Sequence, residues 1–249
     1  MQRYFVKSEQ IKGNTVSIHG QDYHHIKNVM RMKTGDNVYI CDQDENVYLA
    51  NLVEIKDQEI ILRLREKIDY QSELNCSLTI ALGLTRREKQ EEVLRRITEL
   101  GADGFLTVSM ARSIVKAKGN TEKIIERQKS IAKEASEQSQ RRRIPQIFGN
   151  FSFEDFLKFS AKFDHKLFAY EEAGRKNDAS LKKIIRSSQE KAVLVLVGPE
   201  GGISLKEAEK LLVGGFSAVG LGPRILRCET APLYIMSAFS YELELKDES

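Results

Sequence analysis

The 249-residue sequence has no apolar run long enough to cross a bilayer, and residues 1–7 lack the apolar core and cleavage site of a signal peptide. We therefore expect a cytoplasmic protein that makes no membrane contact. Only three cysteines are present, with no C-x-x-C pair and no histidine at metal-ligand spacing: Cys41, Cys76 and Cys228. These cysteines predict free thiols in a reducing compartment and no metal site.

The motifs of the common nucleotide-binding folds are also missing. The sequence has no G-x-x-x-x-G-K-[ST] and no G-x-G-x-x-G between a strand and a helix, which argues against P-loop and Rossmann sites. With 41% hydrophobic and 30% charged residues, the composition is that of a globular protein large enough for one or two domains. The net charge of +3 is too small to indicate a polyanionic partner by itself.

Residues 1 to about 70 are predicted to be mostly β-structure. Apolar residues alternate along two predicted strands, at Val47, Leu49, Val53 and Ile55 and then at Ile60, Leu62 and Leu64. The other face of the second strand carries charges that suit either solvent or an RNA surface: Arg63, Arg65 and Lys67. One helix is predicted from Tyr23 to Met32, ahead of a turn at Gly35-Asp36.

From Leu78 onward the pattern predicts strands that alternate with helices. A strand from Leu78 to Leu84 precedes a helix from Arg86 to Leu100, which ends at Gly101. The alternation predicts a largely parallel sheet. Its further segments are residues 104–109, 121–140, 144–148, 167–170, 181–185, 193–197 and 216–221, with a helix opened by Ser152. A polar stretch at residues 70–73 separates the two patterns and predicts domains 1–72 and 73–249.

A glycine-rich segment directly follows the apolar strand that ends at Val197. It reads Gly198-Pro199-Glu200-Gly201-Gly202, and a capping box of Ser204 and Glu207 then begins a helix. The segment is therefore expected at the carboxyl end of a buried strand, where α/β proteins bind ligands. Glycines there would let the backbone approach an adenosine or a carboxylate. A tight turn that needs glycine only for its backbone angles explains them equally well.

A second charged segment, from Leu221 to Pro232, follows the last predicted strand. It contains Arg224, Arg227 and Glu229, with Thr230 as a candidate helix N-cap. A surface salt-bridge cluster would explain these charges, but a position beside the first glycine loop favours a ligand site. Cys228 is expected to be inert, because free cysteines mostly behave as small apolar residues.

These two segments, in this order, resemble the cofactor-binding end of SPOUT methyltransferases and, in combination, the RsmE family. Three further stretches agree with that family: His24 to Arg31 before Gly35-Asp36, Thr98 to Gly101, and Ala132 to Pro145. The match spans both predicted domains. Two departures are Arg95-Arg96, where a Gln-Lys pair is frequent, and Cys228, where threonine is frequent. RsmE-type enzymes use S-adenosylmethionine to methylate N3 of a uridine in 16S ribosomal RNA.

The resemblance implies an α/β protein with a C-terminal SPOUT domain tied in a deep trefoil knot and an N-terminal PUA-like, RNA-binding β-barrel. It also implies two partners, the 16S rRNA in the small ribosomal subunit and a second copy of the chain. The apolar residues of the last helix would lie at the homodimer interface or, alternatively, in the core of their own chain: Leu233, Ile235, Met236 and Phe239.

The resemblance also implies site residues. S-adenosyl-L-methionine is expected to contact Leu196, Gly198, Pro199, Glu200, Gly201, Gly202, Leu221, Gly222, Leu226 and Arg227. Catalysis is assigned to Arg224, Arg227 and Glu229. An arginine would stabilise the negative charge on O2 and O4 when N3 loses its proton, while Glu229 or Glu200 accepts that proton or orients an arginine.

RNA contacts are expected where arginines cluster and could neutralise phosphates. The candidates are Arg31, Arg86, Arg87, Arg112, Arg141, Arg142 and Arg143. For each cluster taken alone, an ordinary solvated helix surface is the favoured explanation. Two other functions stay open, a SPOUT enzyme that acts on ribose 2′-OH or transfer RNA and a PUA-type protein that only binds RNA.

Overall fold

The structure is a computed structural model that describes residues 1–69, 71–116, 121–175 and 180–245, so Tyr70 of the predicted boundary lies outside the described residues. The chain forms two compact units. The first comprises Met1–Glu73 and Ser136–Arg143, and the second comprises Leu74–Ala135 and Ile144–Ser249. The segment Ser136–Arg143, expected in the second domain, thus packs with the first, where its arginines meet their carboxylate and carbonyl partners.

The first unit contains a six-stranded sheet. Its strands are β1 (Arg3–Phe5), β2 (Ile11–Lys12), β3 (Thr15–Ile18), β4 (Asn37–Cys41), β5 (Val47–Ile55) and β6 (Ile60–Ile68). They are ordered β1-β4-β5-β6-β3-β2, and only the pair β1 and β4 is parallel among these strands. One apolar cluster, which includes Tyr4, Ile26 and Leu52, forms the core of this unit.

The helix of the first unit differs from its predicted bounds. It begins earlier, as α1 (Gly20–His24), and continues into a π-helical turn, His25–Val29. The chain leaves the helical conformation at Arg31, whose φ of 51° lies in the left-handed region that non-glycine residues rarely adopt.

The buried face of β5 changes partway along the strand. Val47 is buried and Leu49 only half-buried, whereas Ala50 and Leu52 are fully buried. A register shift against β6 occurs between Leu49 and Ala50, and such a bulge changes which residues face the core. The regular alternation predicted for β5 is therefore wrong beyond Val47. On β6 the predicted faces are confirmed, since Ile60 and Leu62 are buried while the charged residues opposite are exposed: Arg63, Arg65 and Lys67.

The second unit contains the predicted parallel sheet. Its strands are β7 (Ser77–Gly83), β8 (Gly104–Ser109), β9 (Gln146–Ser152), β10 (His165–Ala169), β11 (Ala192–Val197) and β12 (Ser217–Val219). They are ordered β12-β10-β11-β7-β8-β9, and every pair is parallel. Strand β11 is thus inserted between two strands, β7 and β10, that precede it in the chain.

Helices cover both faces of this sheet. They are α2 (Arg87–Glu99), α3 (Thr121–Gln138), α4 (Phe153–Phe159), α5 (Glu171–Arg175), α6 (Ser180–Arg186), α7 (Leu205–Val213) and α8 (Thr230–Glu244). Successive residues of β11 enter different apolar clusters, with Val193 and Val195 in one and Leu194 and Leu196 in the other. Both faces are therefore buried, as is usual for a parallel sheet. Among the described residues, no helix is long and apolar enough to cross a membrane.

Helix α8 packs against α2 and α6 and contributes its apolar side chains to the core of its own unit. Ile235, Met236 and Phe239 are 0% exposed, and Leu233 is partly buried against the same cluster. The alternative of an interface position is therefore wrong for the three fully buried residues, which have no surface left for a partner. Thr230, predicted as the N-cap, is instead the first helical residue, because Glu229 occupies the cap position.

Candidate functional site

The carboxyl ends of the parallel strands meet at one edge of the second sheet, where a cleft of about 660 Å³ opens. It is lined by residues that follow β10, β11 and β12 and by part of α2. A cleft of this volume has the size of small-molecule sites, and α/β sheets bind ligands at this edge. The parallel topology thus brings together the two segments that the sequence singled out.

The glycine loop (residues 198–202) follows β11 directly. Gly202 has a φ of +71°, and its N–H donates to the Pro199 carbonyl at 2.8 Å, which closes a tight turn. A Cβ on Gly201 would lie 2.9 Å from both the Cβ and the carbonyl oxygen of Arg112. Glycine is therefore required here by the turn and by close packing, in addition to any ligand.

A glycine outside the predicted motifs packs directly against the backbone of this loop. Gly83 ends β7, and a Cβ there would lie 2.3 Å from the backbone nitrogen of Pro199 and 2.4 Å from its Cδ. No side chain fits at this position without moving the loop. Its only signal in the sequence is a glycine near the end of an apolar strand.

The predicted capping box is present and has a second role. The Ser204 hydroxyl accepts from the Glu207 N–H at 3.3 Å, and the Glu207 carboxylate accepts from the Ser204 N–H at 3.0 Å. The other oxygen of buried Glu207 accepts from the Ala111 N–H at 2.8 Å, while Arg112 donates to the Gly201 carbonyl at 3.2 Å. The segment after β8 is thus bonded both to the first turn of α7 and to the glycine loop.

The arginine loop (residues 221–229) forms the opposite wall of the cleft. The side chains of Arg224 and Arg227 are exposed and make no ion pair or hydrogen bond with any other residue that the structure describes. The Arg227 carbonyl accepts from the N–H groups of Thr230 and Ala231, at 2.9 and 3.0 Å, which fixes the loop to the start of α8. Two cationic groups are therefore available at the cleft on an anchored backbone.

A lysine of α2 connects the two loops. The Lys89 ammonium lies 3.2 Å from a carboxylate oxygen of Glu200 and 3.3 Å from one of Glu229. Its hydrogen bond to Glu200, assisted by Glu229, raises the pKa of Lys89 above its ordinary value. No motif in the sequence points to Lys89, because its partners are more than a hundred residues away along the chain.

Glu229 is also held by its neighbour, since the Cys228 thiol donates to its carboxylate at 3.1 Å. Burial acts to raise the pKa of Glu229, but hydrogen bonds from Cys228, a backbone N–H and Lys89 outweigh it and hold the pKa below its usual value. Burial and the same hydrogen bond raise the pKa of Cys228 to about 12. Cys228 is therefore a neutral thiol at physiological pH, which fits the expectation that it is not a nucleophile.

The predicted cofactor and catalytic residues converge on this cleft with one exception. Leu196 is fully buried in an apolar cluster on one face of the sheet and does not line the cleft. The alternation of side chains along β11 explains this correction, because Val197, one residue later, lines the cleft instead. The predicted residues that line it are Gly198, Pro199, Glu200, Gly201, Gly202, Leu221, Gly222, Arg224, Leu226, Arg227 and Glu229.

Arg141, predicted to contact RNA, does not face solvent. Its side chain is 3% exposed, and its Nε donates to the Glu73 carboxylate at 3.1 Å. Its carbonyl accepts from Arg3 at 2.7 Å. We therefore correct the expected role of Arg141 from an RNA contact to a structural one in the first unit.

Arg142 and Arg143 are half-buried and engaged with Glu45. Arg142 Nε donates to the Glu45 carbonyl at 2.7 Å, and Arg143 Nε donates to its carboxylate at 2.7 Å. The remaining candidate RNA contacts are exposed: Arg31, Arg86, Arg87 and Arg112. Within the ranges that the structure describes, no group of three or more potential ligands is placed to hold a metal ion.

Known proteins match the chain along nearly its whole length. The family model described as an RNA methyltransferase domain matches residues 72–240, and the one described as an RNA methyltransferase PUA domain matches residues 18–65. The ribosomal RNA small subunit methyltransferase E of Bacillus subtilis is 40% identical, with 98% of each chain covered. The protein of the same name from Synechocystis is 32% identical, over 97% of this chain and 78% of the relative.

A solved structure agrees with these matches. The crystal structure of a ribosomal RNA small subunit methyltransferase E from Neisseria gonorrhoeae, bound to S-adenosyl methionine, superposes with a TM-score of 0.83 at 25% identity. It covers 96% of this chain and 97% of its own. On the family models and the full-length identity to the Bacillus subtilis protein, this chain belongs to the ribosomal RNA small subunit methyltransferase E family.

Proposed function

We propose that this chain transfers the methyl group of S-adenosylmethionine to N3 of a uridine in the 16S RNA of the small ribosomal subunit, in the cytoplasm. The observation that carries the proposal is the cleft at the carboxyl edge of the parallel sheet, whose walls are the glycine loop and the arginine loop. Relatives with this chain's full length are named for small-subunit rRNA methylation, and one of them binds S-adenosyl methionine.

The residues of the cleft suit this cofactor. A Cβ on Gly222 would meet nothing within 4 Å, and one on Gly202 would meet only the Arg112 guanidinium, at 4.0 Å, so the backbone at both positions borders open space. Val197, Ile203, Leu221, Leu226 and Ala231 provide apolar surface for an adenosine. Glu200 and Glu229 offer carboxylates beside it, which suit a positively charged ligand.

Bound S-adenosylmethionine supplies an activated methyl group, and the residues of the cleft then have to orient the acceptor and stabilise charge. Loss of the uridine N3 proton, to Glu200 or to solvent water, places negative charge on O2 and O4. Arg224 and Arg227 are exposed cations at the cleft, and we assign them to that charge. Because its pKa is depressed and its carboxylate is bound by Lys89 and Cys228, Glu229 is a weak base, and we assign it to holding the arginine loop rather than to proton transfer or to orienting an arginine.

RNA would reach the cleft as a flipped or unpaired base, since N3 is inaccessible in a duplex. Exposed Arg86, Arg87 and Arg112 in the second unit and Arg31 in the first are our candidates for phosphate contacts. A free nucleoside would not need cations spread over two units. We therefore propose structured rRNA in the assembled subunit as the substrate.

Three finer features of the family complete the proposal: a deep trefoil knot, a closed N-terminal barrel and a homodimer. The insertion of β11 between the earlier strands β7 and β10 supports the knot, and the match of residues 18–65 to the PUA model supports the barrel. Exposed Tyr234 and Tyr241 lie seven residues apart on α8 and so on one helix face. We propose this face of α8, in place of the buried residues, as part of the dimer interface.

The cofactor assignment is tested at Gly201. Gly201→Val should remove measurable affinity for S-adenosylmethionine in calorimetry, because its Cβ would collide with the Arg112 backbone and displace the glycine loop. Gly214→Ala is the matched control, since Gly214 also has an ordinary φ, of −72°, but ends α7 outside the cleft. Unchanged affinity in Gly201→Val would remove this loop from the cofactor site.

The product identifies the acceptor atom. Small subunits lacking the modification, incubated with the protein and S-adenosylmethionine, should yield N3-methyluridine in the mass spectrum of the digested RNA. Methyl groups on ribose, or on transfer RNA alone, would contradict the substrate assignment while leaving the cofactor assignment intact.

A further inference from the structure

Lys89 occupies a position that the helix itself disfavours. It is the third residue of α2, which begins at Arg87, and the N-terminal turn of a helix carries a partial positive charge. A cation there opposes the helix dipole, and acidic residues are preferred. The local sequence rule is therefore broken at a residue that lines the cleft, as happens where a side chain serves a site rather than its own helix.

The contacts of Lys89 differ from those of ordinary surface lysines. One ammonium lies between two carboxylates, at 3.2 Å from Glu200 and 3.3 Å from Glu229. All three side chains are only partly exposed, at 34%, 24% and 27%. Glu200 belongs to the glycine loop and Glu229 to the arginine loop, so the bridge joins the two walls of the cleft.

We propose that Lys89 is a positioning residue that ties the glycine loop to the arginine loop through Glu200 and Glu229 and so shapes the cleft for its ligand. The proposal rests on the proposed function, because it concerns the same cleft. Lys89 acts in two ways. It fixes the distance between the loops, and it neutralises repulsion between two carboxylates that must lie close together because they share one ammonium.

The accessibility of the Cys228 thiol reports on the bridge between the loops, and measuring it does not require methyl transfer. Cys228 is 7% exposed and its thiol is hydrogen-bonded to the Glu229 carboxylate, so the thiol becomes accessible to a reagent only when the arginine loop moves. Cys41 and Cys76 are equally suitable internal references, since both are buried and burial raises the pKa of each thiol to about 12, as for Cys228. Lys89 lowers the pKa of Cys228, so its loss by itself would slow alkylation. Faster alkylation would therefore have to come from loop opening.

The experiment compares Lys89→Met with Lys89→Arg, which keeps the charge. Arg96→Met is the matched control, because Arg96 lies on α2 and pairs only with Glu92 and Glu99 of its own helix among the described residues. Iodoacetamide labelling is followed for each cysteine by peptide mass spectrometry, and affinity for S-adenosylmethionine is measured by calorimetry. Lys89→Met should label Cys228 several-fold faster than wild type and bind the cofactor about tenfold more weakly, because the two ion pairs that hold the loops together are lost.

Three results support the bridge together. Labelling of Cys41 and Cys76 stays at the wild-type rate, Lys89→Arg restores both measurements towards wild type, and Arg96→Met changes neither. Equally faster labelling of all three cysteines in Lys89→Met would mean general destabilisation and would overturn the proposal. A wild-type labelling rate of Cys228 together with wild-type cofactor affinity in Lys89→Met would overturn it as well. Failure of the wild-type protein to bind S-adenosylmethionine would instead refute the proposed function, while the labelling of Cys228 would still decide the bridge.

Discussion

Two arginine-rich segments of the chain have opposite surroundings. Residues 141–143 lie in the first unit, where Arg141 is buried against Glu73 and Arg143 is paired with Glu45. Residues 224–227 border the cleft of the second unit, where Arg224 and Arg227 are exposed and, among the described residues, without side-chain partners. The first segment stabilises a fold, and the second has cations available for a ligand.

The difference lies in the distribution of carboxylates, which the local sequence does not show. Glu73 and Glu45 reach residues 141–143 from about seventy and one hundred positions away. At the cleft two of the carboxylates, Glu200 and Glu229, are instead bound by Lys89. The role of an arginine cluster is thus decided by which acidic residues the fold brings to it.

The largest effect is expected from Arg141→Ala. It would leave Glu73, whose side chain is 12% exposed, without its main counter-charge. Breaking one partner of a buried pair costs about 3–5 kcal/mol, so the free energy of unfolding should fall by that amount in urea denaturation at neutral pH. Arg224→Ala, the matched change in the other segment, should stay within about 0.5 kcal/mol of wild type. Equal losses in the two variants would erase the contrast between the segments.

A smaller but functional effect is expected from Arg227→Ala. Removal of a cation that stabilises developing charge should lower methyl transfer by about 100-fold, with little change in cofactor affinity. Single-turnover assays on small subunits and calorimetry measure the two quantities separately. A parallel loss of affinity would make Arg227 a cofactor ligand, and wild-type turnover would remove it from the mechanism.

The sequence predicts much of the second unit, because its signals are local. An apolar strand, a glycine segment and a capping box are neighbours in the chain, so the glycine loop appears after β11 as expected. Periodicity alone fails on β5, where a bulge displaces the alternation. The resemblance alone does not show that the side chain of Leu196 faces the core rather than the cleft.

Residues that act across the sheet escape prediction for a different reason. Gly83 matters only because Pro199 packs against it, and Lys89 only because two distant loops bring Glu200 and Glu229 to it. Neither contact can be recognised from the spacing of residues in the sequence. The burial of Arg141 cannot be predicted for the same reason. The segment Ser136–Arg143 belongs to the first unit, whereas most of α3, which precedes it, belongs to the second.

The smallest effect is expected in the salt dependence of RNA binding. It tests whether exposed arginines, unlike internally paired ones, bind phosphates. Arg86 and Arg87 are exposed at the start of α2, although Arg87 also donates to Glu91 at 2.8 Å. If they bind phosphates, the double substitution Arg86→Ala/Arg87→Ala should flatten the slope of log affinity against log salt by about 0.7–0.9 for each phosphate that is no longer neutralised. Cofactor affinity should not change.

The matched control is Arg142→Ala/Arg143→Ala, which removes the same charge from the segment held by Glu45. Because these guanidinium groups already have acceptors in their own unit, their removal should leave the salt slope for small subunits near that of wild type, even where it lowers stability. Filter binding over a series of salt concentrations separates the two outcomes. A slope flattened by the control variant but not by Arg86→Ala/Arg87→Ala would reverse the assignment: the segment at 142–143 would then bind RNA despite its internal partners, and the start of α2 would be ordinary solvated surface.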